Sequence, residues 1–363
     1  MTHTNIKLND LALQWKEIEQ EALPEIKEYL RSGTYIKSIY VDRFEASWSS
    51  YVDYEYSIMT SSGTSAYEVC LSYFEYDPIE TCVLLQNNTW ASILWTTKKL
   101  GYHYDFIDCD EYLQYSVSEL ENWLKINRSK YTYIILVPTH ILGHPCDMAS
   151  ILTLANKYDI NIIEDCSQAH GAACRAGAVG HFGDIAFWSL YPGKNLGATS
   201  QAGIISVSNQ AQEKLVRAFV NCGMVEKNNF YVESSNHRPC EISAITLYHK
   251  LKLLDNWTNI RIGLANYYNS IFNQSINAPY CIKNVYHYYY LMTKNRDAVV
   301  KALNDNLIPY SINYPFTLNS LENKNGHFPN SMRQSKEIIC LPCHQYLSKS
   351  NIDFIADVIK KEI

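Results

Sequence analysis

Apolar runs and amphipathic stretches alternate through the middle of the chain. Tyr133–Val137 (YIILV) and residues 160–164 (INIIE) are continuous or nearly continuous apolar runs, the pattern of strands buried on both faces. Residues 82–85 and 103–108 read as further strands. Between them, residues 91–100 and Met148–Tyr158 carry helical spacing, and another helix-like stretch follows Ser62-Gly63-Thr64. After Asp184 the order becomes strand, loop, strand, with Lys194 in the loop beside Pro192, Gly193 and Gly197. Residues 245–272 form one long helical pattern. A strand at 286–292, a helix at 296–304 and a closing helix from Ser348 complete the reading.

Strands alternating with helices predict an α/β fold with a mainly parallel sheet covered on both sides. The expected division is a large domain over 1–245 and a smaller C-terminal α/β domain over 246–363. Ligands of open α/β sheets bind beyond the carboxyl ends of the strands. Ser62-Gly63-Thr64, Asn88-Thr89-Trp90, Asp165, Ser189 and Lys194 are therefore expected to meet at one sheet edge.

The chain has 363 residues, 47% of them hydrophobic, enough for a large core. A net charge of −6 without a basic run argues against nucleic acid as a partner. Eleven cysteines, an odd number without a framework, fit free thiols in a reducing cytoplasm. Cys340 and Cys343 form a lone C-x-x-C around Leu341-Pro342, read as structural. The first residues lack the pattern of a signal peptide, and no apolar run nears the roughly 20 residues of a membrane span. The expected location is the cytoplasm.

Each candidate residue has a plain alternative. Ser62 reads as an ordinary helix cap, yet a helix start at Ser-Gly-Thr also presents free N–H groups to a phosphate. Trp90 alone reads as core, yet it could stack on a flat ring. Asp165 caps a loop, or pairs with a cationic nitrogen; charges about 4 Å apart are worth roughly 4 kcal/mol at an effective dielectric near 20. A loop lysine commonly faces water, yet only a primary amine makes a Schiff base with an aldehyde. Taken together, a phosphate cradle, a stacking aromatic, an acid and a lysine suit pyridoxal 5′-phosphate, PLP. A P-loop fails because position 188 is Trp and Asn195 follows Lys194. No G-x-G-x-x-G follows the first strand either.

Several segments resemble the DegT/DnrJ/EryC1/StrS sugar aminotransferases, PLP enzymes of fold type I, over nearly the whole chain. They are Ser62-Gly63-Thr64-Ser65-Ala66, Asn88-Thr89-Trp90-Ala91-Ser92 and the H-x-x-G-x-x-x-D-M segment from His140 to Met148. Glu164-Asp165-Cys166-Ser167-Gln168-Ala169-His170-Gly171-Ala172, Gly180-His181-Phe182-Gly183-Asp184 and Tyr191-Pro192-Gly193-Lys194-Asn195-Leu196-Gly197 follow. The resemblance implies that Lys194 forms the Schiff base, Asp165 binds the pyridinium nitrogen and Gln168 bonds the ring hydroxyl. It implies that Trp90 stacks on the ring and that Gly63, Thr64 and Ser189 hold the phosphate. Asn236 would reach the phosphate from the other subunit of a homodimer with shared active sites. The implied reaction moves an amino group from L-glutamate to a nucleotide-diphosphate-linked keto-6-deoxy sugar. The wording around Lys194 favours carbon 3 of a dTDP-sugar over carbon 4 of a UDP-, GDP- or dTDP-sugar.

The chain departs from the family at Gln201, where an acid is usual, and at Leu142, where Tyr is usual. It departs again at His237 within N-Y-R, and at Asn313 and Asn319, which replace histidines. These changes bear on the sugar acceptor rather than the cofactor. Two rivals follow: a sugar dehydratase, which carries histidine at the lysine position, and a PLP-binding regulatory or scaffold homologue without turnover.

Overall fold

Seven strands form one sheet in the order Tyr56–Thr60, Gly203–Val207, Ile185–Ser189, Asn161–Asp165, Tyr133–Val137, Thr81–Gln86, His103–Ile107. Among the described residues, only Gly203–Val207 of this sheet runs antiparallel to its neighbours. The structure, a computed structural model, describes residues 6–36, 38–274 and 276–363. The fold is the expected α/β architecture. Tyr133–Val137 and Met148–Tyr158 lie where the pattern sets them, and the strand expected at 160–164 is shifted by one residue. That shift makes Asp165 the last residue of its strand.

Two N-terminal helices, Leu11–Ser32 and Ile39–Val52, lie in a stretch for which no elements were expected. Their signals are readable in retrospect. Asp10 and Ser38 cap them through side-chain oxygens, and Val41, Phe44, Trp48 and Val52 recur at helical spacing on the buried face. Trp48 meets Trp188 edge to face at 5.3 Å, which packs the second helix over the sheet behind Ser189.

The long helical pattern at 245–272 is two helices, Glu241–Leu251 and Leu254–Phe272. The first packs on the two N-terminal helices and the second on the closing helix Lys349–Ile359. One straight rod cannot serve both layers, and the chain bends at Lys252-Leu253. The division expected at 245/246 falls within the first of these helices. Beyond it, antiparallel strands Tyr289–Met292 and Ile338–Leu341 share an apolar core with the helices Arg296–Asp305 and Lys349–Ile359. Cys340 and Cys343 are buried free thiols there, and Cys343 Sγ donates to the Arg261 carbonyl at 3.6 Å. Among the described residues, no helix is long and apolar enough to cross a membrane.

Candidate active site

The carboxyl ends of the parallel strands open into a cavity of about 650 Å³. Gly63, Thr64, Trp90, Asp165, Gln168, Ser189 and Lys194 all line it. Asn236 does not: it is exposed on its own chain, and its side-chain oxygen accepts from the Arg238 N–H at 3.2 Å.

Ser62 caps the helix Gly63–Tyr73 by accepting from Ser65 N at 3.0 Å. Among the described residues, the N–H groups of Gly63 and Thr64 find no protein acceptor. Gly63 is required for position. A Cβ there would lie 2.6 Å from Ser189 Cβ and 3.0 Å from Ser189 Cα, so only glycine lets the helix start abut the end of Ile185–Ser189. Free N–H groups at the positive end of a helix, beside a serine hydroxyl, form a cradle for a phosphate.

Asp165 sits nearly sealed at the cavity floor. Its carboxylate accepts from Ser167 N at 3.0 Å and from Thr139 Oγ1 at 3.2 Å. Thr139 follows the neighbouring parallel strand, so the sheet-edge rule could have found it. Burial raises the Asp165 pKa, opposed by the Ser167 bonds, the Lys194 charge and Thr139. A carboxylate this short of solvent gains from any cationic nitrogen that reaches it.

Lys194 occupies a tight loop: Lys194 N donates to Tyr191 O and Ala198 N to Leu190 O, each at 2.8 Å. Gly197 permits the turn, since a Cβ there would sit 2.2 Å from the Pro192 carbonyl oxygen. The side chain is enclosed by protein but reached from the cavity. Among the described residues, neither a hydrogen bond nor an ion pair engages its ammonium. Burial lowers its pKa to about 8, against the pull of Asp165. A fraction of the amine is therefore uncharged near neutral pH, as a nucleophile or base requires.

Trp90 corrects the core reading: it is 55% exposed, at the cavity mouth. Its ring lies 5.7 Å from that of Tyr314 and 6.4 Å from that of Phe316. Gln168 is held at both ends. Its Oε1 accepts from Leu142 N at 2.9 Å, and its Nε2 donates to Tyr314 Oη at 3.0 Å, leaving one amide hydrogen for a ligand. The family departure at Leu142 is thus neutral for this contact, which uses the backbone. Asn313 and Gln201 line the cavity, whereas Asn319 lies outside it. Sequence reasoning missed His287, Tyr288 and Tyr191, which also form the wall. The C-terminal residues among them gave no local signal, since they reach the site only through the fold.

Behind Asp165, His140, Glu164 and Cys166 stand close enough to suggest a metal site. The hydrogen bonds exclude it. Cys146 N donates to His140 Nδ1 at 2.9 Å, so the proton is on Nε2, which donates to Glu164 Oε1 at 2.9 Å. Glu164 also accepts from Gly180 N at 2.6 Å and Phe182 N at 2.9 Å. Both ring nitrogens are used, and the carboxylate is satisfied by neutral donors.

A helix-start cradle, a floor carboxylate and a desolvated lysine at one edge of a mainly parallel sheet are the parts of a PLP site. Residues 16–360 match the DegT/DnrJ/EryC1/StrS aminotransferase family, and the chain belongs to it. A UDP-N-acetyl-3-dehydro-alpha-D-glucosamine 3-aminotransferase of Acidithiobacillus ferrooxidans is 26% identical over 99% of both chains. A dTDP-3-amino-3,6-dideoxy-alpha-D-galactopyranose transaminase of Aneurinibacillus thermoaerophilus is 28% identical over 98% of both. The crystal structure of S. venezuelae DesV in complex with a ketimine intermediate superposes with a TM-score of 0.91 at 24% identity, covering 98% of both chains. The family's sugar aminotransferases are PLP-dependent. The Lys194 amine and the Gly63 and Thr64 N–H groups, without partners among the described residues, and the desolvated Asp165 fit that cofactor.

Proposed function

We propose that this chain transfers the amino group of L-glutamate to a keto-6-deoxy sugar linked to a nucleotide diphosphate, at carbon 3 of a dTDP-sugar. The observation that carries the reading is the Lys194 amine and the Asp165 carboxylate facing one cavity without pairing directly. The carbon-3 preference is supported by the two curated relatives, both named for carbon-3 amination.

Gly63, Thr64 and Ser189 would hold the phosphate of PLP, Asp165 its ring nitrogen, Gln168 its ring hydroxyl and Trp90 one face. PLP, when bound, supplies an aldehyde carbon that exchanges amines and a ring that takes up the electrons of a deprotonated carbon. Lys194 Nζ takes the proton from the glutamate Cα and later returns one to the sugar carbon that receives nitrogen. Asp165 keeps a proton on the ring nitrogen, which maintains the electron demand. Trp90 and Tyr314 cover the mouth and exclude water.

The active unit in this reading is a homodimer with shared sites, Asn236 of one chain reaching the phosphate held by the other. Trp90 and Tyr191 support it, as both are about half exposed at the cavity mouth. The test is the visible spectrum of purified protein with PLP, before and after borohydride, with the modified peptide located by mass spectrometry. An adduct persisting unchanged in Lys194→Ala rejects the assignment. Glutamate alone should convert the bound cofactor to its amine form, which a homologue without turnover would not do. Screening dTDP-, UDP- and GDP-keto-sugars then identifies the acceptor.

A further inference from the structure

The loop that carries Lys194 closes on Gly197, a buried residue, and a buried peptide oxygen without a partner is costly. The Gly197 carbonyl has one in Lys250 Nζ, which donates to it at 2.8 Å. Lys250 stands on the helix Glu241–Leu251 and is 4% exposed. Among the described residues, no acid forms an ion pair with it. A buried ammonium that faces only neutral acceptors costs stability, and an apolar side chain would fill the same space without that cost. What the charge adds is a hydrogen bond about twice as strong as a neutral one. That bond is spent on the carbonyl three residues after Lys194.

A chain of side chains reaches the other shoulder of the loop. Gln14 Oε1 accepts from Lys250 Nζ at 3.1 Å, and Gln14 Nε2 donates to Asn9 Oδ1 at 3.4 Å. Asn9 Nδ2 donates to the carbonyl of Gly193, the residue before Lys194, at 3.4 Å. Gln14 is sealed from solvent, so these two neighbours set its amide orientation. The segment bearing Asn9 is tied down in turn. Tyr346 N donates to His344 Nδ1 at 3.3 Å, which leaves the ring proton on Nε2, and Nε2 donates to the Lys7 carbonyl at 3.1 Å. Ser243, two turns before Lys250 on the same helix face, shares a hydrogen bond of 2.9 Å with Ser200 just past the loop. Segments far from the loop in sequence thus grip the backbone on both sides of Lys194. Asn9, Gln14, Ser243 and Lys250 all lie outside the cavity lining.

We propose that Lys250, Gln14 and Asn9 form a positioning clamp for Lys194: they hold the carbonyls of Gly197 and Gly193 and so fix where the loop delivers its amine. A reacting group must sit within about 0.5 Å of its productive place, and residues behind it supply that precision. The three are positioning residues that act through the loop backbone. The consequence for turnover rests on the amino-transfer reading, but the clamp belongs to the cofactor-free protein and is tested there.

The experiment is hydrogen exchange of full-length apoprotein, read by peptide mass spectrometry. It follows the loop amides Lys194 N and Ala198 N, which are bonded to Tyr191 O and Leu190 O. Lys250→Met keeps a long unbranched side chain and removes the donor. Peptides covering residues 190–198 should exchange about tenfold faster, while those covering Tyr133–Val137 stay unchanged. An unchanged loop overturns the proposal. So does an acceleration spread evenly over the chain, which marks lost stability rather than lost position. Should Lys250→Met not fold, Asn9→Ala decides, because Asn9 is only half-buried. Its loss should speed exchange at 190–198 by about threefold, and unchanged exchange there overturns the clamp. With PLP added to Lys250→Met, the rate at which borohydride traps the cofactor on Lys194 should fall about tenfold. In the holoenzyme, kcat should fall with little change in the glutamate KM. An unaltered trapping rate overturns the positioning role even where the loop loosens. Failure of the native protein to form that adduct would remove the functional reading alone.

Discussion

Asn87 and Asn319 hold each other across 232 residues of sequence: Asn87 Nδ2 donates to Asn319 Oδ1 at 2.9 Å, and Asn319 N donates to Asn87 Oδ1 at 2.9 Å. Asn87 Nδ2 also donates to Ser331 Oγ at 2.9 Å, and Asn87 O accepts from Leu318 N at 2.9 Å. The residue that departs from the family histidine is thus a clamp between the sheet edge and the C-terminal segment. Asn319→Ala should cost about 1–3 kcal/mol, seen as a lower thermal midpoint, because it strands buried amide groups. The rate of the glutamate half-reaction per folded molecule should be unchanged. A changed half-reaction with unaltered stability would return Asn319 to the substrate set.

Gly63→Ala places a methyl into Ser189 backbone and Cβ atoms that cannot swing away. The helix start must retreat, at about 1–3 kcal/mol of strain. PLP affinity, measured by fluorescence titration of the apoprotein, should weaken by about tenfold or more, and inorganic phosphate should compete less well.

Asp165→Asn retains an oxygen for the Ser167 N–H but removes the charge. Asp165 raises the Lys194 pKa, so its neutralisation should lower that pKa below about 8 in apoprotein labelling. Turnover should fall by about 10²–10³, the usual cost of losing one preorganised electrostatic contact.

Three N–H donors now share the Glu164 carboxylate; Glu164→Gln keeps one oxygen to accept but turns the other into an N–H₂ that must face at least one of those donors. Destabilisation by about 2–4 kcal/mol is expected. Because these donors are neutral and leave no ligand atom free, a chelator should change neither stability nor activity of the native protein.

Lys250 gives a pH test. Its Nζ is buried and donates to Gln14 Oε1 at 3.1 Å and the Gly197 carbonyl at 2.8 Å, and burial lowers its pKa to about 8. Between about 8 and its ordinary value near 10.5, the folded chain binds fewer protons at this site than the unfolded chain. Stability from this group therefore rises with pH through that window and is independent of pH below it. Buried thiols and tyrosines act in the opposite sense, so the informative quantity is the difference between native protein and Lys250→Met. That difference should change between about pH 8 and about pH 10 and be flat below.

Local sequence determined many of the elements and most of the residues that meet at the cavity. Tyr133–Val137 and Met148–Tyr158 are written in short-range periodicity, and strand ends carrying Asp165 and Ser189 follow from parallel-sheet logic. Gly63, Gly197 and Lys194 announce themselves because turns and close approaches restrict residue choice at single positions. Tertiary structure alone decided that Trp90 stands at the mouth rather than in the core, that Asn319 clamps Asn87, and that His287 joins the Lys194 wall. It also decided that His140, Glu164 and Cys166 form a satisfied network instead of a metal site. Those outcomes depend on which distant segments share a boundary and where each proton goes. Neither leaves a trace in local spacing, because hydrogen-bond partners far apart along the chain are chosen by packing.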